Sequence, residues 1–292
     1  VLGTILRKDE MRRLLVCLVA FALSACASGG HGATSGHGAV ASFFPIAATL
    51  RALDPRLPVV DLTPPGVEPH DLELTTPEMD RILDASLVVV MGKGFQPAIE
   101  RAARDRTAGA LVVLDHLDVG SDPHVWLDPV LMQRVVRLLA TGLIRTEPAA
   151  RDRVEQRAAE LDARLIALDR AYRAGLARCD RRIVVTAHAA FGRLASRYGL
   201  RQEPIAGISP EQEPDPRRMA ELTDLVRRYG VTTVFTERLV SPRVAQTLAR
   251  EAGVKTAVLD PIESPRDQTS FSGYLAAMSR NLGALRRALG CA

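Results

Sequence analysis

Aromatic side chains make up only 4% of this 292-residue chain, and tryptophan occurs once, at Trp126. So sparse a supply argues against a surface that stacks sugars or bases. Charge gives no handle on a polyanion either. The formal net charge is +4, with no block of one sign and no basic stripe interleaved with aromatics, so nucleic acid is not an expected partner. Arginine far outnumbers lysine, which reads as compositional bias. Long apolar runs are missing as well. The longest, Leu14 to Leu23, is ten residues, where a membrane-crossing helix needs about 20. Neither a His-Glu-x-x-His stretch nor a nucleophile elbow is present, which removes two common hydrolase signatures. Cysteine occurs four times, at Cys17, Cys26, Cys179 and Cys291.

What the amino-terminal region does have is the layout of an export signal. Met11 is followed by Arg12 and Arg13, then by the apolar run, then by Leu23-Ser-Ala-Cys26, which resembles the bacterial lipobox. Residues 1–25 are expected to be a signal peptide, with 1–10 an upstream extension, and Cys26 is expected to carry lipid. An ordinary signal peptide with an incidental cysteine is the alternative. Residues 26–38, rich in Gly, Ser and Ala, form a tether whose His31 and His37 read as solvated linker residues. Four basic and two acidic groups leave with residues 1–25, so the mature chain is nearer +2. Cys17 leaves too, and outside the cytoplasm the remaining Cys179 and Cys291 favour a disulfide; two unpaired buried thiols are the alternative.

Beyond the tether, short apolar runs alternate with amphipathic stretches. Val40–Phe44, Val59–Leu62, Leu87–Met91 and Leu111–Leu114 read as strands, with helices near Ile46–Leu53, Pro77–Ala85 (capped by Thr76) and Pro97–Arg104. Apolar strands with little alternation suit a parallel sheet covered on both faces. The second half repeats the pattern. Its strands read as Ile183–Thr186, Glu203–Ile205, Thr232–Phe235 and Ala257–Leu259, and its helices fall near Ala189–Tyr198, Pro216–Tyr229, Pro242–Ala252 and Tyr274–Leu289. Between the halves, Val154, Ala158, Leu161, Leu165, Leu168 and Tyr172 form one apolar stripe on a helix of roughly 45 Å. A coiled-coil segment is the alternative for that stretch. The expected fold class is α/β, with two Rossmann-like βα lobes: 39–147, a rigid linker helix over 148–177, and 178–292.

Three of the six histidines fall in loops at predicted strand ends: His70, His124 and His188. Asp260, directly after a predicted strand, is the candidate fourth ligand. Ligands of open parallel sheets bind beyond the carboxyl ends of the strands, so two facing lobes can bring these side chains together in the interlobe cleft. Three imidazoles and one carboxylate make a tetrahedral zinc site. Pro64, Pro65, Pro69, Pro123 and Pro129 restrict the ligand loops. Asp71, Asp128 and Glu237 are candidates to accept a ligating imidazole's second ring N–H. Taken singly, each histidine could be a satisfied core group, and Asp260 could simply end a strand. His116 is a bystander and the first replacement should one ligand be misassigned.

These residues also carry a family resemblance. Pro64-Pro-Gly-Val-Glu-Pro-His-Asp-Leu-Glu-Leu-Thr-Thr-Pro77, Ala85-Ser-Leu-Val-Val-Val90, Asp122-Pro-His-Val-Trp-Leu-Asp-Pro129, His188-Ala-Ala-Phe-Gly192, Gly207-Ile-Ser-Pro-Glu211 and Val258-Leu-Asp-Pro261 occur in that order. The chain resembles the zinc/manganese solute-binding lipoproteins of bacterial ABC importers, and is most similar to the zinc-preferring branch. The resemblance implies two Rossmann-like lobes, a single rigid helix between them and metal at their interface. It further implies an exported, membrane-anchored monomer that delivers metal to a permease driven by an ATPase. By motif, the ligands would be His70, His124, His188 and Asp260. Manganese-type members place a carboxylate where His188 stands, so the third imidazole favours Zn²⁺ over Mn²⁺. The His- and acid-rich loop of many zinc-type members is absent, since Leu114–Ser121 holds only His116. A manganese importer component or a surface adhesin on the same fold is the alternative. A zinc hydrolase, with water in the fourth position and Asp260 or Glu237 as base, is the reading from another class.

Overall fold

Eight short parallel strands build two separate sheets in a computed structural model, which describes residues 38–210, 215–266 and 269–292. The expected signal peptide, lipidated Cys26, His31, His37 and Glu211 lie outside the described residues. In the first sheet, β1 (Ala39–Ala41), β2 (Val59–Asp61), β3 (Leu87–Val90) and β4 (Leu111–Val112) run in the order β2-β1-β3-β4. In the second, β5 (Ile183–Thr186), β6 (Arg201–Pro204), β7 (Thr233–Thr236) and β8 (Lys255–Val258) repeat that order as β6-β5-β7-β8. The central strand β3 is buried at all four positions, as a strand covered on both faces must be, and its apolar run made it readable. The edge strands are different. Polar β6 and exposed β8 begin two residues before their expected positions, because an edge strand is held by backbone pairing without an apolar run.

Helices α1 (Phe44–Leu53), α2 (Thr76–Asp84) and α3 (Pro97–Arg104) follow the first three strands. Thr75, one residue earlier than expected, caps α2, and its N–H donates to the Glu78 carboxylate at 2.8 Å. An 18-residue helix, α4 (Pro129–Thr146), occupies a stretch to which sequence reading assigned no element. Its start is built conventionally, since Asp128 Oδ1 accepts from the N–H of Val130 and of Leu131, and Pro129 sits in the first turn. It packs along the linker helix α5 (Arg151–Leu176), which has 26 residues and so spans about 39 Å. A 3₁₀ turn over Pro148–Ala150 shortens α5 from the expected 148–177.

Val154, Leu161, Leu165, Leu168 and Tyr172 on α5 are buried, as the stripe requires. The stripe meets α1, α4 and a C-terminal helix, α9 (Phe271–Leu289), so α5 belongs to a helical layer and not to a coiled coil. One apolar cluster runs from Phe43 and Leu50 through α4 and α5 to Tyr274, Met278, Phe191 and Phe235, crossing both sheets' territories. The remaining helices, α6 (Gly192–Arg197), α7 (Pro216–Arg228) and α8 (Arg243–Ala252), complete the second lobe. A disulfide joins Cys179, just after α5, to Cys291 near the C-terminus. Among the described residues, no helix is long and apolar enough to cross a membrane.

Candidate metal site

Each of the three histidines stands at the carboxyl end of a sheet, and each is fixed by one carboxylate. His70 lies in the loop after β2, where Glu68 Oε1 accepts from its backbone N–H at 3.1 Å and contacts Nδ1. His124 lies after β4, where Asp122 Oδ1 accepts from its backbone N–H at 3.0 Å and meets Nδ1 at 2.8 Å. His188 follows β5. Glu237, from the loop after β7, accepts from its N–H at 3.1 Å and meets Nδ1 at 2.7 Å. An ionised carboxylate can only accept, so each Nδ1 carries the proton and each Nε2 keeps its lone pair.

The three Nε2 atoms converge, and Glu263 joins them. One ligand atom from each of His70, His124, His188 and Glu263 lies within 4.8 Å of every other, and all four residues are buried. Glu263 Oε1 stands 3.7 Å from His124 Nε2 and 3.9 Å from His188 Nε2. Ligand atoms bound at 2.0–2.1 Å around a tetrahedral ion are about 3.3 Å apart, so a small contraction would suffice. None of the three Nε2 atoms, nor either Glu263 carboxylate oxygen, has a hydrogen-bond partner. Buried polar atoms are almost always paired, so this group of orphans has the donor set that a cation would satisfy.

Asp260, the expected fourth ligand, is not part of the cluster. Its Oδ2 pairs with Arg238 Nε at 3.1 Å and its Oδ1 accepts from Ile262 N–H at 2.8 Å. Asn281 clamps the same residue, taking its N–H at 2.9 Å and donating to its carbonyl at 2.7 Å. Asp260 therefore builds the turn, and the turn presents Glu263. Within it, buried Ile262 adopts φ 60°, a left-handed conformation that costs a β-branched residue about 1–3 kcal/mol. The N-terminal lobe holds this turn from both sides. Trp126 Nε1 donates to Pro261 O at 2.7 Å, Ser264 Oγ donates to Pro64 O at 2.7 Å, and Gly66 N–H donates to Ser264 O at 2.9 Å. Gly66, at φ 84°, admits the contact, since a Cβ there would lie 2.7 Å from Arg266 Nε.

The expected outer carboxylates divide. Glu237 orients His188, whereas Asp71 is exposed and Asp128 caps α4 and binds Arg197. Glu68 and Asp122 take the places expected for Asp71 and Asp128. Their signal was legible as a repeated acid-Pro-His triplet, Glu68-Pro69-His70 and Asp122-Pro123-His124. Two residues is the reach at which a side-chain carboxylate closes back on the chain. His116 is exposed on a 3₁₀ turn and stays outside the cluster.

Burial dominates the electrostatics. It lowers the pKa of His124 to about 4, against the opposing hydrogen bond and charge of Asp122, with the neighbouring imidazoles adding to the shift. It raises Glu263 well above the usual carboxylate range, helped by the charges of Glu68, Glu237 and Asp260. Burial also opposes ionisation of Glu68, yet the hydrogen bond and charge of His70 bring that pKa below its ordinary value. Phe95 and Trp126 wall the site, with ring centroids 4.7 Å from His70 and 5.1 Å from His124. The result is a buried pocket in which His124 resists protonation and Glu263 resists ionisation unless a cation is present.

Known proteins share this arrangement of sequence and fold. The family model described as zinc-uptake complex component A, periplasmic (ZnuA), matches residues 39–288. The high-affinity zinc uptake system protein ZnuA of Bacillus subtilis is 34% identical over 253 residues, covering 78% of this chain and 79% of that protein. The zinc-binding lipoprotein AdcA of Streptococcus pneumoniae is 34% identical over 247 residues, covering 76% of this chain and 49% of AdcA. The chain thus spans about half the length of that relative. Among solved structures, the laminin-binding protein Lmb of Streptococcus agalactiae aligns with a TM-score of 0.80 at 30% identity, covering 86% of this chain and 98% of that one. It is described as a bifunctional protein with adhesin and metal transporting activity.

Proposed function

This chain belongs to the ZnuA family of periplasmic zinc-uptake components, and from that premise we propose that it captures Zn²⁺ outside the cytoplasm and delivers it to an ABC-type importer. The ligands are His70, His124, His188 and Glu263. The observation that carries this reading is the set of buried, unpartnered Nε2 and carboxylate atoms gathered at one point. Three imidazoles suit zinc, whereas manganese prefers a set richer in oxygen. Four protein ligands close the coordination sphere, leaving no position where a metal-bound water would act as nucleophile, so the site is built for capture and not for catalysis.

Both lobes contribute ligands, and release follows from their separation. The hydrogen bonds of Trp126 and Ser264 across the cleft, together with the shared helical layer, favour a small rocking over a wide opening. Cys26 supplies the lipid anchor, the chain acts as a monomer, and the permease and its ATPase are its partners. Competitive titration of the metal-free protein against a chromophoric chelator tests the metal reading. One Zn²⁺ per chain should bind more tightly than Mn²⁺. His124→Ala should weaken Zn²⁺ binding more than about 100-fold, beyond the loss typical of an outer-shell change, with the circular dichroism spectrum unchanged. A His124→Ala protein that titrates like wild type refutes the ligand set.

A further inference from the structure

Two arginines of the same short helix reach from the C-terminal lobe to the N-terminal lobe, and only one of them touches the metal-site machinery. Both lie on α6, whose first residue, Gly192, is four positions beyond His188. Arg193 donates from Nε to Asp122 O at 2.9 Å, from Nη2 to the same oxygen at 2.6 Å, and from Nη2 to Val119 O. Its Nε also stands 3.6 Å from Asp122 Oδ2. The other oxygen of that carboxylate, Oδ1, is the one that fixes the backbone and ring of His124. Gly192 lets the helix come this close, since a Cβ there would lie 3.3 Å from Asp122 Oδ2. Arg197, by contrast, binds Asp128 Oδ2 at 2.5 Å, and Asp128 serves the start of α4.

We propose that Arg193 is a positioning residue for the metal site, acting through Asp122. The guanidinium fork holds two backbone carbonyls of the 119–122 loop and one edge of the Asp122 carboxylate, leaving the opposite edge turned toward His124. A planar, five-donor group can satisfy three acceptors at once in a way that an ammonium cannot. The loop needs such a hold. Asp118 and Gly120 are exposed, and the Asp122 side chain keeps 23% exposure at the edge of a crevice of about 650 Å³ lined also by Arg193 and Arg197. Water entering that crevice would compete for the carboxylate. Lys93 Nζ donates to Gly120 O at 2.6 Å, so the loop has one further pin, but from within its own lobe. Arg193 ties the Asp122 end of the loop carrying His124 to the helix that follows His188. It thereby sets the register of two ligands contributed by different lobes.

The inference rests on the reading of His70, His124, His188 and Glu263 as zinc ligands, and the test separates the two. Zinc affinity and dissociation rate are measured for wild type, Arg193→Ala, Asp122→Ala, the double variant and Arg197→Ala, each checked by circular dichroism and melting. Outer-shell partners of metal ligands are typically worth about 10–100-fold in affinity, and a group one step further out belongs at the lower end. Arg193→Ala should therefore weaken Zn²⁺ binding about tenfold, mostly through faster dissociation. In the Asp122→Ala background the same change should cost less than about twofold, because the group it positions is gone. Arg197→Ala should melt lower yet bind Zn²⁺ within about twofold of wild type, since it touches no histidine partner. Should Arg193→Ala not fold, Arg193→Gln, which keeps a donor but loses the fork, takes its place in the same cycle. Wild-type affinity in the Arg193 variant, a full loss persisting without Asp122, or an equal loss in Arg197→Ala overturns the assignment. Absence of zinc binding by wild type overturns the metal site itself.

Discussion

Replacing Glu263 with methionine is expected to move two observables in opposite directions. Glu263 is 1% exposed, and neither carboxylate oxygen has a partner. Burial and the nearby Glu68, Glu237 and Asp260 carboxylates hold its pKa well above the usual range, so the metal-free protein favours the protonated acid at this buried position. An unsatisfied buried polar group costs about 1–3 kcal/mol, and methionine fills a similar volume without one. Glu263→Met should thus stabilise the metal-free protein by about 1–3 kcal/mol, with Tm rising roughly 2–4 °C per kcal/mol for a chain of this size. With zinc the order reverses. Loss of the anionic ligand should weaken binding more than about 100-fold, or about 2.7 kcal/mol, and the zinc-dependent rise in Tm shrinks accordingly. The assay is a pair of melts, one in chelator and one in excess Zn²⁺, with a competition titration beside them. Asp260→Ala is the contrast. It leaves the Glu263 carboxylate in place but strips Ile262 N–H of its acceptor and Arg238 of its partner, so it should melt lower in chelator and still bind zinc. Wild-type zinc affinity in Glu263→Met, together with loss of binding in Asp260→Ala, would refute the ligand assignment. A Glu263→Met protein that melts below wild type in chelator would refute the idea of an unsatisfied acid.

The lowered pKa of His124, about 4 in the folded chain against an ordinary 6.5, means that the unfolded state binds more protons between those values. Stability of the metal-free protein should therefore fall as pH drops from about 6.5 to 4, by up to about 3 kcal/mol from this group, and His124→Phe should flatten the slope seen in urea titrations. An unchanged slope in that variant would count against the burial argument. The Cys179–Cys291 bond closes a separation of 112 residues. Its removal by paired alanines should cost about 2–4 kcal/mol in denaturant unfolding, with zinc affinity within twofold, because the bond lies at the amino ends of the strands, away from the ligands. A collapse of zinc binding on reduction would contradict that separation.

Much of the architecture was legible because its local rules agree. β3 declares itself by four consecutive buried apolar residues, and α2 by a threonine cap, Pro77 and Glu78. His70, His124 and His188 could be found because loops at strand ends are where open parallel sheets bind ligands. The fourth member of the cluster, Glu263, was missed for a conformational reason. The strand-end rule selects Asp260, the first carboxylate after β8, but the chain turns once more at Ile262 and carries Glu263 inward instead. A left-handed isoleucine is written nowhere in the local sequence; the turn is held from across the cleft by Trp126, Pro64 and Gly66. The helix over Pro129–Thr146 was overlooked for no such reason. Its Asp128 cap, Pro129 start and buried stripe of Leu131, Val135, Leu139 and Leu143 were all present in the sequence.

The apolar cluster that runs unbroken through α4, α5 and α9 makes the two lobes a single folding unit. Each sheet has a small apolar cluster of its own on its outer side, around Ile82 and Ile99 in one and Leu222 and Leu248 in the other. Neither is expected to survive alone, because cutting the chain after α5 would part Tyr172 from Met278, whose carbonyl it donates to, and from Tyr198, on which it stacks. A calorimeter should then record one melting transition for the whole chain, not one per lobe. Half-length fragments should aggregate instead of folding. Two lobes that share one candidate metal site are thus expected to be thermodynamically inseparable.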